Sequence, residues 1–411
     1  MRSTLRGARA ARVFLCFALG YLLSYALRSV NAVIAPALQL ELGLSNADLG
    51  LLSSAYFVSF GAMQLPLGIW LDKYGARRTE AALLLCAAAG AVVFATSTSL
   101  AGLWTGRALI GAGVSACLMA AFKAYRNWFA LDQQAQLASW MLVAGTCGAL
   151  IASLPVSLAL PVIGWRAVFW LVAGLLVLSA TLIFFLLRDV ERDYAGALPM
   201  AASTRGYRAI FSSRYFWRLG VLGLVNHGIF IALQTLWAGP WMITVLGKSA
   251  QQTGQILFAF NLVLMLSYLA LGTVSRQLLA RGWHVHQLIG IGFASVMVSL
   301  LAIISTTSPH AWLLWLVLAM CVPVTTLVQS QVAVSFPLDL SGRANSAYNL
   351  QLFVGAFISQ WGIGVLIDFL KLHGAAPASA FRLALGVALA FQALGLALFA
   401  AGRAHTFTDS P

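Results

Sequence analysis

The feature that most limits this chain is a succession of long, nearly charge-free apolar runs that repeats from end to end. A bilayer core takes about 20 mostly apolar residues per crossing helix. Runs of that kind, bounded by polar or Gly/Pro breaks, fall at 12–38, 47–71, 80–99, 102–126, 137–160, 164–187, 217–245, 251–275, 286–306, 311–335, 344–370 and 379–402. They are continuously apolar, whereas strands of a membrane barrel alternate, so a closed β-barrel is excluded. Charged residues make up 9% of the chain and hydrophobic ones 61%, against about 25% charged in an ordinary soluble domain. Too few polar side chains remain to cover a water-facing surface, which removes soluble-enzyme, disordered and fibrous readings. The first run follows Arg2, Arg6, Arg9 and Arg12 as a signal peptide would, but it is too long for one and carries Arg28.

Twelve runs predict an all-α membrane protein of twelve spans. The formal net charge of +14 is a matter of placement. Nineteen of the 25 Lys and Arg residues fall on one side of that topology, four on the other, and Arg28 and Arg107 lie within spans. The basic side is cytoplasmic by the positive-inside rule, which puts both termini inside and makes the charge an orientation signal instead of a nucleic-acid footprint. The longest break, 188–216, holds five arginines with Pro, Gly and Ser. It reads as a cytoplasmic linker between a six-helix bundle at 1–187 and a second at 217–411. Cys16, Cys86, Cys117, Cys147 and Cys321 sit inside apolar runs without metal-ligand spacing and read as small core residues.

Between spans two and three stands Gly68-Ile69-Trp70-Leu71-Asp72-Lys73-Tyr74-Gly75-Ala76-Arg77-Arg78. Gly68 would permit close helix contact and Gly75 a tight reversal, while Asp72 can accept bonds from Arg77, Arg78 or a helix N-terminus. With its spacing G-x-x-x-D-K-x-G-x-R-R, the segment resembles the signature of the major facilitator superfamily. Arg107-Ala108-Leu109-Ile110-Gly111-Ala112-Gly113 in span four, Gly164-Trp165-Arg166 between spans five and six, and Gly342-Arg343-Ala344-Asn345 before span eleven extend the resemblance over the whole chain. The resemblance implies two pseudo-symmetric six-helix bundles with alternating access, Gly68, Asp72, Gly75, Arg77 and Arg78 acting as a latch, and Arg107 in a structural or proton-path role. In the second half, Gly272 to Arg281 is a degenerate copy with Ser275 and Arg276 where an acid would stand.

Arg28 lies about 16 residues into span one, roughly 24 Å along a helix. A charge at that depth costs several kcal/mol unless it meets water or a partner, so the face shared by Tyr21, Ser24, Arg28 and Asn31 is expected to line a polar cavity. The segment Gly20-Tyr21 through Tyr25, Arg28, Ala32 and Pro36 is similar to span one of the organophosphate:phosphate antiporter branch, which implies anion binding at Arg28. That branch has a partner arginine in span seven, whereas Gly228–Trp237 holds no Lys or Arg, so a monoanion such as a carboxylate fits better. Lys123 is a further cavity candidate, although on a straight helix it stands about 160° from Arg107. In the second half His227, Gln234 and Trp241 share a face by sevens, with Trp237 beside it. Asn345, Asn349 and Gln360 form a stripe in span eleven, and Gln329 and Gln331 lie in span ten. Such amides orient small polar ligands.

Ten of the 11 acids fall in loops or at span ends, and the eleventh, Asp368, is near the end of span eleven. A basic cavity without acids favours anions. Proton coupling is then left to His227 or to the substrate itself. His284 and His286 read as solvated. No nucleophile, metal or cofactor motif is present, so neither an enzyme nor a cofactor is expected. The sequence thus predicts a monomeric secondary transporter of a small organic anion in a bacterial inner membrane, with Arg28, Asn31, Tyr21, Lys123, Gln234, Trp237, Asn349 and Gln360 at its substrate. Efflux of an amphipathic drug or siderophore, and a transporter-like ligand sensor, are the alternatives.

Overall fold

A computed structural model describes residues 5, 7–130, 133–193, 207–336 and 338–401. Arg2, Arg6 and positions 194–206 of the linker lie outside the described residues, as do the side chains of Asp72 and Arg276. The described residues are almost entirely helical, with ten helices long and apolar enough to cross a membrane and a shorter apolar one, Gln136–Ile151, in the all-α membrane fold expected from the apolar runs. Large apolar side chains such as Leu15, Trp170, Phe185, Val298 and Phe391 face outward, as they must against lipid.

The residues group into two compact units. Unit 1 is Met1–Gly43 with Ala55–Ala201, and unit 2 is Leu44–Ser54 with Ala202–Pro411. In unit 1, span one runs through Gly7–Ser29 and Asn31–Leu42. Spans two and three form one helical stretch, Asn46–Thr96, which belongs to this unit from Ala55 onward and is broken at Gly75. Span four is Leu100–Val114 plus Cys117–Trp128. Span five is Gln134–Ile151 and the start of Leu154–Leu186, which breaks at Gly164 to begin span six. The two breaks are alike, with φ 80° and ψ 167° at Gly75, and φ 73° and ψ 164° at Gly164. That region is open essentially to glycine alone, so each reversal takes one residue and the next helix starts at once. Spans three and four then close on small residues: a methyl placed on Gly106 would stand 2.8 Å from Phe94 N.

In unit 2, span seven is followed by Ala250–Ala280, Val285–Ser305, Trp312–Thr325 with Leu327–Ser335, Leu338–Leu372 and Pro377–Ala401. A buried cluster of Phe216, Leu219, Ile289, Phe293, Val328, Val332 and Tyr348 joins these helices at one end. Asp368 caps the start of the stretch grouped with it. Its carboxylate accepts from Asn46 Nδ2 at 2.7 Å and from Ala47 N at 2.6 Å, satisfying orphan donors at a helix N-terminus.

Three expectations are corrected. Gly68 is exposed, and a methyl built on it meets nothing within 4 Å, so no helix presses on it here. Glu80 is not at a span end. Because the reversal at Gly75 is so tight, span three starts early and Glu80 sits fully buried inside unit 1. His286 is half-buried, with Nε2 3.3 Å from Tyr215 OH, while His284 stays exposed as a helix cap.

The two glycines of the loop motif separate cleanly. A side chain at Gly75 would adopt a disfavoured backbone and stand 2.8 Å from Glu191 Oε1, a combination costing about 1–3 kcal/mol. Gly75→Ala should therefore lower the thermal unfolding midpoint in detergent by several degrees, and Gly68→Ala should leave it unchanged. Equal shifts would remove the backbone argument.

Candidate functional site

In unit 1 the site gathers around span one. Arg28 is half-buried, and its guanidinium carbon lies 4.7 Å from the Tyr25 ring centroid, 5.4 Å from Phe60 and 6.0 Å from Phe57. Tyr56, Tyr25 and Tyr21 supply the nearest phenols. Tyr56 OH donates to Ser24 O at 3.3 Å, and Tyr21 packs edge-on to Tyr25 at 5.0 Å. The cation is thus held by π faces and phenolic oxygens, which lower its cost at membrane depth and leave the guanidinium fork suited to a planar anion. Tyr21 and Arg28 come together as the spacing predicted. Tyr56 of span two, which faces them, is an addition that periodicity within span one does not reveal. Asn31 is buried just past the break in the helix, and Lys123 is half-buried on Cys117–Trp128.

Arg107 is fully buried. Its Nη1 donates to Leu27 O at 2.9 Å, and its guanidinium lies 4.9 Å from the Phe94 ring centroid and 5.3 Å from that of Phe169. Nε and Nη2 have no hydrogen-bond partner among the described residues. It braces the carbonyl next to Arg28, so spans one and four are tied together one residue from the candidate anion site.

In unit 2, span seven is not a plain α-helix. Two π-helical turns, Gly223–His227 and Leu233–Trp237, interrupt it. Such turns favour functional sites and shift the helical register. Spacing by sevens therefore does not hold one face: His227 and Gln234 are half-buried, while Trp241 turns inward against Trp315, ring centroids 6.2 Å apart. The amides are paired. Gln234 Nε2 donates to Asn261 Oδ1 at 3.0 Å, and Gln329 Nε2 donates to Asn349 Oδ1 at 3.2 Å. Gln360 Nε2 donates to Thr235 Oγ1 at 2.5 Å, while Gln360 O accepts from Trp237 Nε1 at 3.2 Å. Trp237 and Gln360 are fully buried, so they lock span seven to span eleven at its second π turn. Asn261 and Thr235 complete these pairs and were not singled out from sequence.

At the loop motif, Arg77 is buried, with Nε donating to Glu191 Oε2 at 2.6 Å and Nη1 donating to Phe184 O at 2.6 Å. Arg78 is exposed. Arg12 pairs with Asp189 at 2.5 Å, and Arg9 reaches Asp189 and Asp193. The short helix Arg188–Asp193 thus fastens the start of span one and the motif loop. A cavity of about 870 Å³ lies there, lined by Arg12, Arg77, Arg78, Arg188 and Arg192 with their acids.

Helices of this number, bearing buried arginines and interrupted at glycines and π turns, define a multi-pass membrane protein with the fold of transporters. The same fold is seen in a solved bacterial homologue of the human lysosomal transporter Spinster, in an inward-facing, unoccupied conformation. The match has a TM-score of 0.80 at 16% identity and covers 96% of this chain and 97% of that one. Residues 17–360 match the model of the Major Facilitator Superfamily, and the chain belongs to that family. It is 29% identical over 222 residues to the hexuronate transporter of Escherichia coli (strain K12), covering 49% of this chain and 50% of that protein. It is 26% identical over 222 residues to the galacturonate transporter of Dickeya chrysanthemi, covering 49% and 63%. The chain thus spans about half the length of the first of these relatives and under two thirds of the second.

The Gly164-Trp165-Arg166 turn has a direct physical reading. Glu41, exposed in the last turn of Asn31–Leu42 and past the apolar run 12–38, accepts from Arg166 and, at 2.6 Å, from Trp165 Nε1. The bonds from Arg166 first and Trp165 second hold its pKa below the ordinary 4.5. A lowered folded pKa means stability that is present above the ordinary value and lost as pH falls through the folded one. Glu41→Gln should lower the unfolding midpoint near neutral pH by a small amount, since the pair is part-exposed. The gap to wild type should close progressively as pH falls below the ordinary 4.5. A gap independent of pH would take the charge out of the account.

Proposed function

We propose that the protein is a secondary active transporter that moves a small organic anion, a carboxylate, across a bacterial inner membrane by alternating access. One observation carries this reading: Arg28, deep in span one, is set among Tyr25, Tyr56, Phe57 and Phe60, with its charge held in place by rings. A cation kept at that depth at a cost is a ligand site by default. The names of the two relatives, hexuronate and galacturonate transporter, both specify sugar acids that carry one carboxylate. That chemistry matches a single arginine better than a two-arginine phosphate clamp.

In this reading Arg28 binds the carboxylate, with Tyr21, Asn31 and Lys123 as further polar groups of unit 1. Gln234, Asn349, Trp237 and Gln360 are the donors and acceptors that unit 2 offers, the last two acting by fixing span seven. Gly68, Asp72, Gly75, Arg77 and Arg78 form the conformational latch, and Arg107 holds span one. His227 is a candidate for exchanging protons. Both termini are cytoplasmic, and the working unit is a monomer in contact with lipid.

Arg28→Ala should reduce uptake of radiolabelled D-galacturonate into proteoliposomes by about 30- to 150-fold, the loss of a charge-assisted bond worth about 2–3 kcal/mol. The variant should still elute as a monodisperse species in detergent. Uptake kinetics like those of wild type would overturn the assignment. Arg28→Lys should recover only part of the activity, because a point charge cannot bond both carboxylate oxygens as the planar fork does.

A further inference from the structure

Unit 1 contains a second group whose chemistry the anion site does not use. Glu80, on span three, is fully buried, and no N–H or O–H donor meets its carboxyl oxygens among the described residues, the Cys117 thiol being the one weak donor beside them. It faces a niche made by three other spans. From span one come Gly20, where an added methyl would stand 2.7 Å from Oε1, and the thiol of Cys16. Span four supplies the Cys117 thiol, a weak donor beside the carboxyl, and the Tyr125 phenol, which donates its own proton to Met141 Sδ at 3.2 Å. Span six supplies Ser179, whose buried Oγ is likewise unpartnered. Leu84 of span three closes the niche. The nearest cation in this chain of neighbours is Arg12, which acts on Cys16 and is itself bonded to Asp189.

An ionised carboxylate in such a niche would face no counter-charge, at a cost of several kcal/mol. Glu80 is therefore carried as the neutral acid while the niche is closed. Even the neutral acid is poorly served, since an unmade buried hydrogen bond costs about 1–3 kcal/mol. A leucine or methionine would pack here more cheaply, so packing does not explain the residue. Gly20 supplies the missing explanation: it leaves the carboxyl free of steric contact on the side of span one, the same helix that carries Arg28 two turns further on. Movement of that helix would open the niche to water.

We propose that Glu80 is a proton-binding site of the transport cycle. It holds a proton when span one seals the niche and gives it up when the niche admits water. In the exchange the carboxyl O–H bond breaks, its electron pair stays on the oxygen, and the proton passes to a water molecule to form hydronium; the reverse step reloads it. Coupling of this proton to uptake rests on the anion reading above, whereas the proton site itself does not.

The test therefore has two arms, both on the full chain in liposomes. Infrared spectra recorded at neutral pH, in H2O and D2O, should show a deuterium-sensitive protonated-carboxyl C=O band in wild type that is missing in Glu80→Gln. The ratio of galacturonate uptake with an inward proton gradient to uptake without one should exceed unity in wild type and fall to about one in Glu80→Gln. A carboxyl band that persists in Glu80→Gln, or a ratio left at the wild-type value, overturns the proposal. If wild type moves no galacturonate, the anion reading fails and the infrared arm decides alone. Should Glu80→Gln not fold, Gly20→Ala crowds the carboxyl directly. Its band should shift, and a band identical to wild type would count against the site.

Discussion

The structure of unit 1 turns on the cost of a charge where water is scarce. Arg28, Arg107 and Glu80 lie within its helices, and each meets that cost differently. Arg28 rests on the faces of Tyr25, Phe57 and Phe60. Arg107 has one carbonyl, Leu27 O, and two phenyl rings. Glu80 has no full partner and avoids the cost by shedding its charge. All three arrangements use span one: it carries Arg28, it provides the carbonyl for Arg107, and at Gly20 it gives Glu80 its room.

Much of this was legible in the sequence, and the limits have physical causes. Apolar runs report lipid contact directly, so the spans and the exceptional position of Arg28 could be read from order alone. The reversal at Gly75 was also legible, because only glycine reaches its backbone angles. What escaped was the consequence. A one-residue reversal starts the next helix early, which drew Glu80 from an expected span end into the interior. Tyr56 escaped for another reason: its relation to Arg28 lies between helices, and no spacing within one helix encodes it.

Span seven shows where periodicity itself misleads. Stepping by sevens from His227 to Gln234 to Trp241 assumes about 3.6 residues per turn. Two π turns widen that count, and Trp241 rotates into the aromatic core beside Trp315. Side chains on and beside the second π turn tie it to span eleven. Thr235 accepts from Gln360, and Trp237 donates back to the Gln360 carbonyl, so span eleven holds the second π turn in place. The first lies against glycine: Gly228 just past it faces Gly355, an approach that any larger residue would prevent.

The same logic bears on how span one could move without unfolding unit 1. A helix bound by interlocked large side chains has one packing and resists displacement. Span one instead meets span five across Gly145 and Gly148, where flat backbone faces Tyr21, Tyr25 and the Leu22 carbonyl. Its ionic attachments are at the ends. Arg9 and Arg12 pair with Asp189 and Asp193 at one end, and Glu41 binds Trp165 and Arg166 at the other. Between these ionic anchors Tyr56 bonds the Ser24 carbonyl and Arg107 the Leu27 carbonyl, the face toward span five is smooth, and the helix is interrupted at Val30. Flexure is therefore easiest at the interruption at Val30, just past Arg28. An anion that draws on Arg28 acts on the same lever that opens or seals the niche of Glu80. Two groups too far apart to touch are thus linked through the one helix both depend on, which is the requirement for binding at one to change the energy of the other.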